Sequence, residues 1–286
     1  MAKVNDFLVE ARILDWYKNL LILLAPFFGG KLLLPVYYPG LLLGFLALSA
    51  TSSACYVIND IKDAAQDAYH PRKKHRPVAS GKMSRASALI FSIILLVFSL
   101  FISYRVSIPF LVLCISLFLN SITYTFFLRD IAWLDLLSIS LNYIIRSLAG
   151  GEIVNVYISP WLLISVFYVS MLFALSKRRE ELTALNKPEH HRKSFKHYDV
   201  ALIDQSITIF STLIIISYSL YTFHSPYADG LLPFTIPIIT LIVLQFISIS
   251  KKTGEAGIIR RLLSSRIIVI SLLIWLAIMF YLIYLT

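Results

Sequence analysis

Three aspartates at offsets of three and four residues have the type and spacing to bind a divalent cation. Asp60, Asp63 and Asp67 follow the second long apolar run of the chain. If a helix continues through them, they project within about 60° of one another. Three carboxylates on one stripe repel one another, and a divalent cation relieves that repulsion. Mg²⁺ prefers oxygen ligands and typically combines one or two carboxylates with substrate phosphates. The spacing therefore predicts a Mg²⁺ site.

A solvated helix end, with the aspartates near Lys62 and a basic loop, is the alternative explanation of the same residues. Further polar side chains extend the stripe back into the apolar run, at Ser49, Ser52, Tyr56 and Asn59. Polar groups inside a bilayer normally face a cavity or the interior of a helix bundle. The extended stripe favours metal and phosphate chemistry.

The composition indicates that membrane helices position these residues. The chain has 286 residues, of which 58% are hydrophobic and 15% charged, and its mean hydropathy is +0.77. Soluble domains carry about 45–50% apolar and about 25% charged residues, so a soluble enzyme, a disordered chain and a nucleic-acid-binding domain are excluded. We expect an all-α, polytopic membrane protein that forms a single domain over residues 1–286, with no cleaved signal peptide.

Nine apolar runs have lengths near the roughly 20 residues that a bilayer requires. They cover residues 19–36, 38–58, 86–104, 107–127, 132–154, 158–176, 200–223, 230–249 and 264–285. If odd-numbered runs lead out of the cytoplasm, every Lys and Arg except Lys31, Arg105 and Arg146 lies on the cytoplasmic side. Cytoplasmic loops carry such an excess. The pattern predicts a cytoplasmic N-terminus, an external C-terminus and two long cytoplasmic loops, near 59–85 and 177–199, that are candidates for function.

The acidic motif and the basic segment after it closely resemble the first signature of the UbiA-type prenyltransferase superfamily. The sequence reads Asn59-Asp60-x-x-Asp63-x-x-x-Asp67, then His70-Pro71-Arg72-Lys73-Lys74-His75-Arg76-Pro77-Val78-Ala79-Ser80-Gly81. The resemblance implies a nine-helix intramembrane enzyme with a cytoplasm-facing cavity. It also implies that the acidic motif holds Mg²⁺ against a pyrophosphate.

The superfamily usually carries a second Asp-rich stretch after the sixth span, and this chain departs from that pattern. It has Leu175-Ser176-Lys177-Arg178-Arg179-Glu180-Glu181-Leu182 instead. Three bases with two acids suit one metal ion together with direct Lys and Arg contacts to phosphate. The departure disfavours ordinary prenyl diphosphate chemistry.

Other segments resemble the decaprenyl-phosphate phosphoribosyltransferase branch of the superfamily. They are Trp16-Tyr17-Lys18-Asn19, Tyr124 to Arg129, Leu134-Asp135, Tyr143 to Gly150, Ser159 to Leu163, and the basic stretch from Lys177. Together they span most of the chain up to about residue 200. The resemblance implies transfer of a 5-phosphoribosyl group from phosphoribosyl pyrophosphate to a polyprenyl phosphate, with release of pyrophosphate.

This resemblance assigns roles to individual residues. Asp60, Asp63 and Asp67 would hold Mg²⁺, and Asp60, Asp63 and Lys177 would be the catalytic residues. Asn59 would contact a ribose hydroxyl or orient a ligand. The other expected substrate contacts are Lys18, Asn19, Arg72, Lys73, Arg76, Tyr124, Arg178 and Tyr198.

The expected partners are phosphoribosyl pyrophosphate, a polyprenyl phosphate lipid and the cytoplasmic (inner) membrane, with the active site facing the cytoplasm. Nucleic acid is not expected, and the sequence leaves a homo-oligomer open. Two rival functions remain. One is a prenyltransferase that moves a prenyl diphosphate chain onto an aromatic or quinone-precursor acceptor. The other is a transporter, which is disfavoured because the acids cluster at one membrane face and transporter sites lie near the midplane.

Charged residues also lie inside the predicted fifth span. Asp135, Asn142 and Arg146 fall within about 40° of one line on a helix. A buried structural network and direct substrate contact explain them equally well. At the start of the seventh span, Asp199 is placed where a carboxylate favours the helix dipole, so we expect a structural role there.

Overall fold

The computed structural model describes residues 4–69, 73–184, 193–227, 230–252 and 257–285. The α-helices in these ranges are α1 (Val4–Glu10), α2 (Leu24–Phe28), α3 (Tyr38–Asp67), α4 (Arg85–Val106), α5 (Ile108–Phe126), α6 (Leu134–Val154), α7 (Pro160–Ala184), α8 (Val200–His224), α9 (Ile236–Ser250), α10 (Ile258–Ser264) and α11 (Arg266–Tyr284). Short 3₁₀ helices connect several of them, and the described residues contain no strand. The predicted all-α class is confirmed.

Seven helical segments within the described ranges are long and apolar enough to cross a bilayer. They are Pro35–Asp67, Arg85–Val106, Ile108–Phe126, Pro160–Thr183, Val200–His224, Leu232–Ser250 and Arg266–Tyr284. α6 coincides with the predicted fifth span but carries Asp135, Arg146 and Glu152. The count of nine spans and their orientation stay predictions.

The apolar run 19–36 does not form one membrane-length helix. A 3₁₀ helix covers Ile13–Leu23, α2 follows over Leu24–Phe28, and the chain turns at Gly29 and Gly30. Gly30 has φ +65°, a left-handed backbone conformation that glycine adopts without steric cost. The sequence pattern identified an apolar segment here and overestimated its helical length.

The chain divides into two compact units. The first consists of Met1–Phe126 with Ile145–Tyr157, and the second of Phe127–Ile144 with Ile158–Thr286. α6 contributes residues to both units. The prediction of a single domain over 1–286 stays a prediction.

In the first unit the 3₁₀ helix Ile13–Leu23 packs along α3 in matching register. Trp16 Nε1 donates to Ser53 Oγ at 3.0 Å, and Asn19 Nδ2 donates to Ser49 Oγ at 3.0 Å. Three residues of a 3₁₀ helix rise about 6 Å, as do four residues of an α-helix. The polar pairs therefore stay aligned, which explains why this 3₁₀ helix extends beyond the usual three or four residues.

The buried core of the first unit lies beside this register. Ile22, Leu48, Phe110, Leu117 and Ala149 are all almost completely inaccessible. They bring α3, α5, α6 and the 3₁₀ helix together around one apolar cluster. This packing fixes the frame from which the C-terminal end of α3 projects.

The second unit has its own apolar core. α7 packs against α8, and α9 packs against α8 and α11. The core contains Leu136, Met171, Leu175, Ile203 and Ile207.

Apolar side chains also cover much of the outer surface of the helices. On α4, Ile90, Ile94, Val97 and Phe101 are each about half exposed or more. Their spacing of three and four residues forms one stripe. Such a stripe suits a helix that contacts lipid.

Candidate active site

The three aspartates of the acidic motif lie on one helix and are all buried. α3 continues to Asp67, which meets the condition under which the three side chains share one face. Asp60, Asp63 and Asp67 are 2%, 9% and 3% exposed. Lys62 points elsewhere: it donates to the Thr125 carbonyl at the end of α5. A solvated helix end therefore does not describe these residues.

Cationic side chains pair with the acidic face of α3. Arg76 Nη1 donates to Asp60 Oδ1 at 2.9 Å and to Asp67 Oδ2 at 2.6 Å. Arg12 donates to the same Oδ1 atom of Asp60. Lys73 Nζ lies 3.7 Å from Asp67 Oδ1. One guanidinium thus bridges two of the predicted metal ligands.

The loop that carries Arg76 folds back onto α3 through its own apolar residues. Val78 and Met83 are buried and pack with Val57 and Ala64 of α3. A tight turn holds the loop, with the Met83 amide donating to the Pro77 carbonyl at 3.0 Å. These contacts place Arg76 over the acidic face.

Two cationic side chains lie near the ring of Tyr56, one turn before Asp60 on α3. The Arg12 guanidinium lies 4.9 Å from the Tyr56 ring centroid, and Lys18 Nζ lies 5.7 Å from it. Lys18 Nζ is also 2.6 Å from Asp15 Oδ1. A line of cations, Lys18, Arg12, Arg76 and Lys73, therefore follows the acidic face. We call these side chains, together with the aspartates, the acid–base stripe.

The donor chemistry of the stripe fits Mg²⁺. Carboxylate oxygens are the ligands this ion prefers, and the basic side chains beside them suit the phosphates that accompany it. Among the described residues no three Asp, Glu, His or Cys side chains converge closely enough to hold a metal ion. Arg76 instead bridges the Asp60 and Asp67 carboxylates.

Two predicted substrate contacts of the first unit, Asn59 and Asn19, form hydrogen bonds within the protein. Asn59 Nδ2 donates to Asp63 Oδ2 at 3.2 Å and so orients that carboxylate. Asn19 is fully buried, and its Oδ1 accepts from Arg146 Nε at 2.7 Å. Arg146 also donates to Ser52 Oγ at 3.1 Å. Arg146 thus takes part in an internal polar network, one of the two explanations left open.

Two other predicted substrate contacts, Tyr124 and Arg72, belong to this part of the chain. Tyr124 is half-buried near the end of α5. Arg72 lies outside the described residues.

In the second unit Asp135 organises a buried polar network. It is fully buried, and its Oδ2 accepts from Arg178 Nε at 3.0 Å. Its Oδ1 accepts from the Tyr198 hydroxyl at 2.9 Å. The Tyr198 oxygen in turn accepts from the Trp133 amide at 2.6 Å. Burial raises the pKa of Tyr198, so the phenol stays a neutral donor to Asp135.

The network supports Trp133 in a left-handed backbone conformation, with φ +67°. Such a conformation costs energy for a bulky residue. The bond from its amide to Tyr198 compensates for part of that cost. Arg178 and Tyr198, both predicted substrate contacts, are thus engaged within the protein.

Other charged residues of the second unit pair along α7. Arg178 Nη1 donates to Glu181 at 2.9 Å, and Arg179 Nε donates to Asp204 at 2.6 Å. Lys177 lies in the same stretch and is exposed. Asp199 accepts from the Leu202 amide at 2.6 Å and caps α8, as predicted for a structural role.

Sequence reasoning missed one member of the stripe, Arg12, and two residues beside it, Tyr56 and Glu10, as site residues. Arg12 was counted only among the basic residues on the predicted cytoplasmic side. Tyr56 was recognised only as a polar position, and Glu10 was not singled out. Glu10 is 1% exposed. Burial and Asp60 raise its pKa, and Arg12 and Arg76 lower it. Arg12 precedes the Trp16-Tyr17-Lys18 motif by one helical turn, which was a usable signal. Glu10 gave no usable signal, because a helix of only seven residues is too short to show a clear periodic pattern.

Comparison with known proteins places the chain in a family. The model of the UbiA prenyltransferase family matches residues 22–257. Decaprenyl-phosphate phosphoribosyltransferase of Mycolicibacterium smegmatis is 28% identical over 256 residues, covering 82% of this chain and 80% of the relative. The protein of the same name from Mycobacterium tuberculosis (strain CDC 1551 / Oshkosh) is 30% identical over 239 residues, covering 79% and 78%.

Solved structures share the fold at low sequence identity. A UbiA homolog from Archaeoglobus fulgidus, solved with GPP and Mg²⁺, has a TM-score of 0.72 at 16% identity and covers 96% of each chain. A digeranylgeranylglyceryl phosphate synthase has a TM-score of 0.70 at 17% identity and covers 99% of each chain. With a family match over most of its length, this membrane protein belongs to the UbiA prenyltransferase family and is an enzyme.

Proposed function

We propose that the enzyme transfers 5-phosphoribose from phosphoribosyl pyrophosphate to a polyprenyl phosphate of decaprenyl type, with Mg²⁺. The observation that carries this proposal is the acid–base stripe. It combines three buried carboxylates with four cations along one helix face of the first unit. Such a surface suits a metal-bound pyrophosphate. The activities named for the relatives supply the choice of donor.

The reaction is a displacement at the anomeric carbon of the ribose. The bond from C1 to the pyrophosphate oxygen breaks, and a bond from C1 to an oxygen of the polyprenyl phosphate forms. Pyrophosphate leaves with the bonding electron pair. A phosphate monoester is already ionised at neutral pH, so no general base is required. Catalysis then depends on positioning and charge stabilisation.

Residues of the first unit have distinct proposed roles. Asp60, Asp63 and Asp67 would hold Mg²⁺, which when bound offsets the charge developing on the leaving pyrophosphate. Arg76 and Lys73 exchange their carboxylate partners for pyrophosphate oxygens. Other proposed substrate contacts here are Lys18, Asn19, Asn59, Arg72 and Tyr124.

For the second unit we propose that Lys177 contacts a phosphate, because it is charged and exposed. Arg178 and Tyr198 are the other proposed substrate contacts. Their bonds to Asp135 fix them, so they also hold the end of α7 that carries Lys177. We further propose that the site faces the cytoplasm from the inner membrane, on the side of the excess Lys and Arg.

The test uses full-length protein in detergent with Mg²⁺, a polyprenyl phosphate and ribose-labelled phosphoribosyl pyrophosphate. We expect label to enter the lipid phase. We expect the loss of nearly all transfer in Asp60→Asn and Asp63→Asn, because each removes a charged oxygen ligand. Glu152→Gln is the matched control, since this acid bonds Ser107 elsewhere in the unit, and should keep most of the activity.

The outcomes separate the two enzyme classes. Label transfer that depends on both aspartates supports the proposal. Transfer of a prenyl chain from a prenyl diphosphate to an aromatic acceptor, with none from phosphoribosyl pyrophosphate, contradicts it.

A further inference from the structure

Glu10 is a buried carboxyl group that the proposed reaction does not use. It is the last residue of α1 and is 1% exposed. Neither carboxylate oxygen has a hydrogen-bond partner among the described residues. Burying such a group without a partner is costly, so its position calls for an explanation.

The surroundings of Glu10 belong to the acid–base stripe. Burial raises its pKa most and Asp60 adds to the rise, whereas Arg12, the Val78 backbone and Arg76 lower it, in that order. α1 is held beside α3 and α4, because Phe7 packs edge-on against Phe91 of α4, with ring centroids 5.0 Å apart, and both rings join the apolar cluster that contains Val57 and Ala64 of α3. Glu10 therefore lies beside charged groups and the Val78 backbone, and no side chain of the described residues donates to its oxygens.

Asp60 is engaged in a way that conflicts with metal binding. Its Oδ1 atom accepts from both Arg12 and Arg76. A Mg²⁺ ion binds carboxylate oxygens at about 2.0–2.1 Å, which would bring two positive charges against the same guanidinium groups. Both arginines have to leave this Oδ1 atom for the ion to bind through it.

The two arginines have different alternatives. Arg76 bridges Asp60 to Asp67 from a loop rich in basic residues, and the proposed pyrophosphate would receive it. Arg12 is two residues from Glu10, and its backbone is left-handed at φ 49° and ψ 51°. Its guanidinium lies over the ring of Tyr56, which is one turn before Asp60 on α3. Near Arg12, the carboxyl group whose oxygens have no hydrogen-bond partner among the described residues is that of Glu10.

We propose that Glu10 is a positioning residue that accepts the guanidinium of Arg12 when a divalent cation binds Asp60. The inference rests on the proposed function, because it requires the Mg²⁺ site. Arg12 moves from one carboxylate to another, so its buried charge stays paired in both arrangements. The other carboxylate that acts on Arg12, Asp15, is already bonded by Lys18. Without Glu10, the arriving cation therefore has to displace Arg12 from Asp60 with no uncommitted carboxylate to receive it.

A binding experiment with Mn²⁺ as the probe tests this exchange. Free Mn²⁺ is measured by electron paramagnetic resonance with the full-length protein in nanodiscs, for wild type, Glu10→Gln, Arg12→Gln and the double variant. We expect Glu10→Gln to weaken Mn²⁺ binding about tenfold, the lower end of the range for groups that support metal ligands. Arg12→Gln should bind at least as tightly as wild type, since the competitor is gone. The double variant should match Arg12→Gln.

Two results would overturn the inference. Unchanged Mn²⁺ affinity in Glu10→Gln would show that Arg12 needs no second partner. An equal loss from Glu10→Gln with and without Arg12 would make Glu10 a direct metal ligand. Glu10→Met, of similar length and without polar atoms, gives the same comparison if the glutamine variant folds poorly.

Failure of the proposed function has a different signature. Wild-type protein that binds no Mn²⁺, or binds it as well after Asp60→Asn, would remove the metal site and the inference with it. Asp60-dependent binding that ignores Glu10 would overturn the inference alone.

Discussion

At the scale of single residues, Asp60 and Asp67 pair with cationic side chains of the protein. We propose that some of these same side chains contact the phosphates of the substrate. Arg76 bridges the two carboxylates, so the proposed metal binding and phosphate binding would be coupled through one side chain. Release of Arg76 to the proposed pyrophosphate would free carboxylate oxygens for the metal ion. Charge-assisted bonds of this kind are the strong ones.

This coupling predicts a large effect of Arg76→Gln. We expect kcat/KM for phosphoribosyl pyrophosphate to fall at least about tenfold, because loss of one good charged contact in the transition state is worth about 1.4 kcal/mol or more. Lys74→Gln is the matched control, since Lys74 lies two residues away and is exposed. It should stay within about twofold of wild type. Equal losses in both variants would point to loop charge in general.

Glu10 predicts a pH dependence of stability. Burial raises its pKa from 4.5 to about 7, Asp60 adds to the rise, and Arg12 opposes it. Between these values the folded protein keeps a proton that the unfolded chain releases, so stability falls as pH rises through the window.

The check is the melting temperature in EDTA for wild type and Glu10→Gln. We expect the variant to gain stability relative to wild type between about pH 5 and about pH 8. Parallel profiles across that range would contradict the account of Glu10.

Residue types and spacing could predict the three aspartates and the basic loop after them. Helical periodicity places Asp60, Asp63 and Asp67 on one face whatever surrounds α3. The pairing of Arg12 with Asp60 could not be predicted, because these residues are 48 positions apart and meet only once the 3₁₀ helix packs on α3. Glu10 depends on the same packing.

At the scale of secondary-structure elements, the fit between the 3₁₀ helix Ile13–Leu23 and α3 determines where Arg12 and Lys18 lie. The apolar runs predicted the positions of most long helices well, because such helices need only composition and length. The run 19–36 differed because Trp16, which precedes it, and Asn19, its first residue, bond to α3 in a 3₁₀ register. Such a choice comes from the partner helix and leaves no signal in local periodicity.

Gly150 on α6 allows the close approach that this arrangement needs. A Cβ atom at Gly150 would lie 1.9 Å from the Ile22 carbonyl oxygen. Gly150→Ala must therefore displace the 3₁₀ helix or α6, and overpacking typically costs about 1–3 kcal/mol. We expect the melting temperature to fall by several degrees and transfer activity to decrease.

The matched control is Gly257→Ala, where no atom of the described residues beyond its chain neighbours lies within 4 Å of the added Cβ. Its melting temperature should stay close to that of wild type. An unchanged melting temperature in Gly150→Ala would show that the 3₁₀ helix is not held where the structure has it.

At the scale of the whole molecule, the distribution of Lys and Arg predicts which loops face the cytoplasm. The exposed positions Lys74 and Lys196 fall on the basic side, and Tyr157 falls between the fifth and sixth predicted spans. In intact cells a membrane-impermeant maleimide should label Tyr157→Cys and leave Lys74→Cys and Lys196→Cys unlabelled. The native Cys55 and Cys114 are buried and should give little background. The reverse pattern would contradict the orientation.

The most direct test of the central claim offers wild-type enzyme both donors at once. The mixture contains Mg²⁺, a polyprenyl phosphate, an aromatic acceptor, ribose-labelled phosphoribosyl pyrophosphate and an equimolar allylic prenyl diphosphate, and both pyrophosphate and lipid-phase label are quantified. We predict one labelled ribose in the lipid phase for each pyrophosphate released. Pyrophosphate released without ribose label in the lipid phase, together with a prenylated acceptor, would contradict the account.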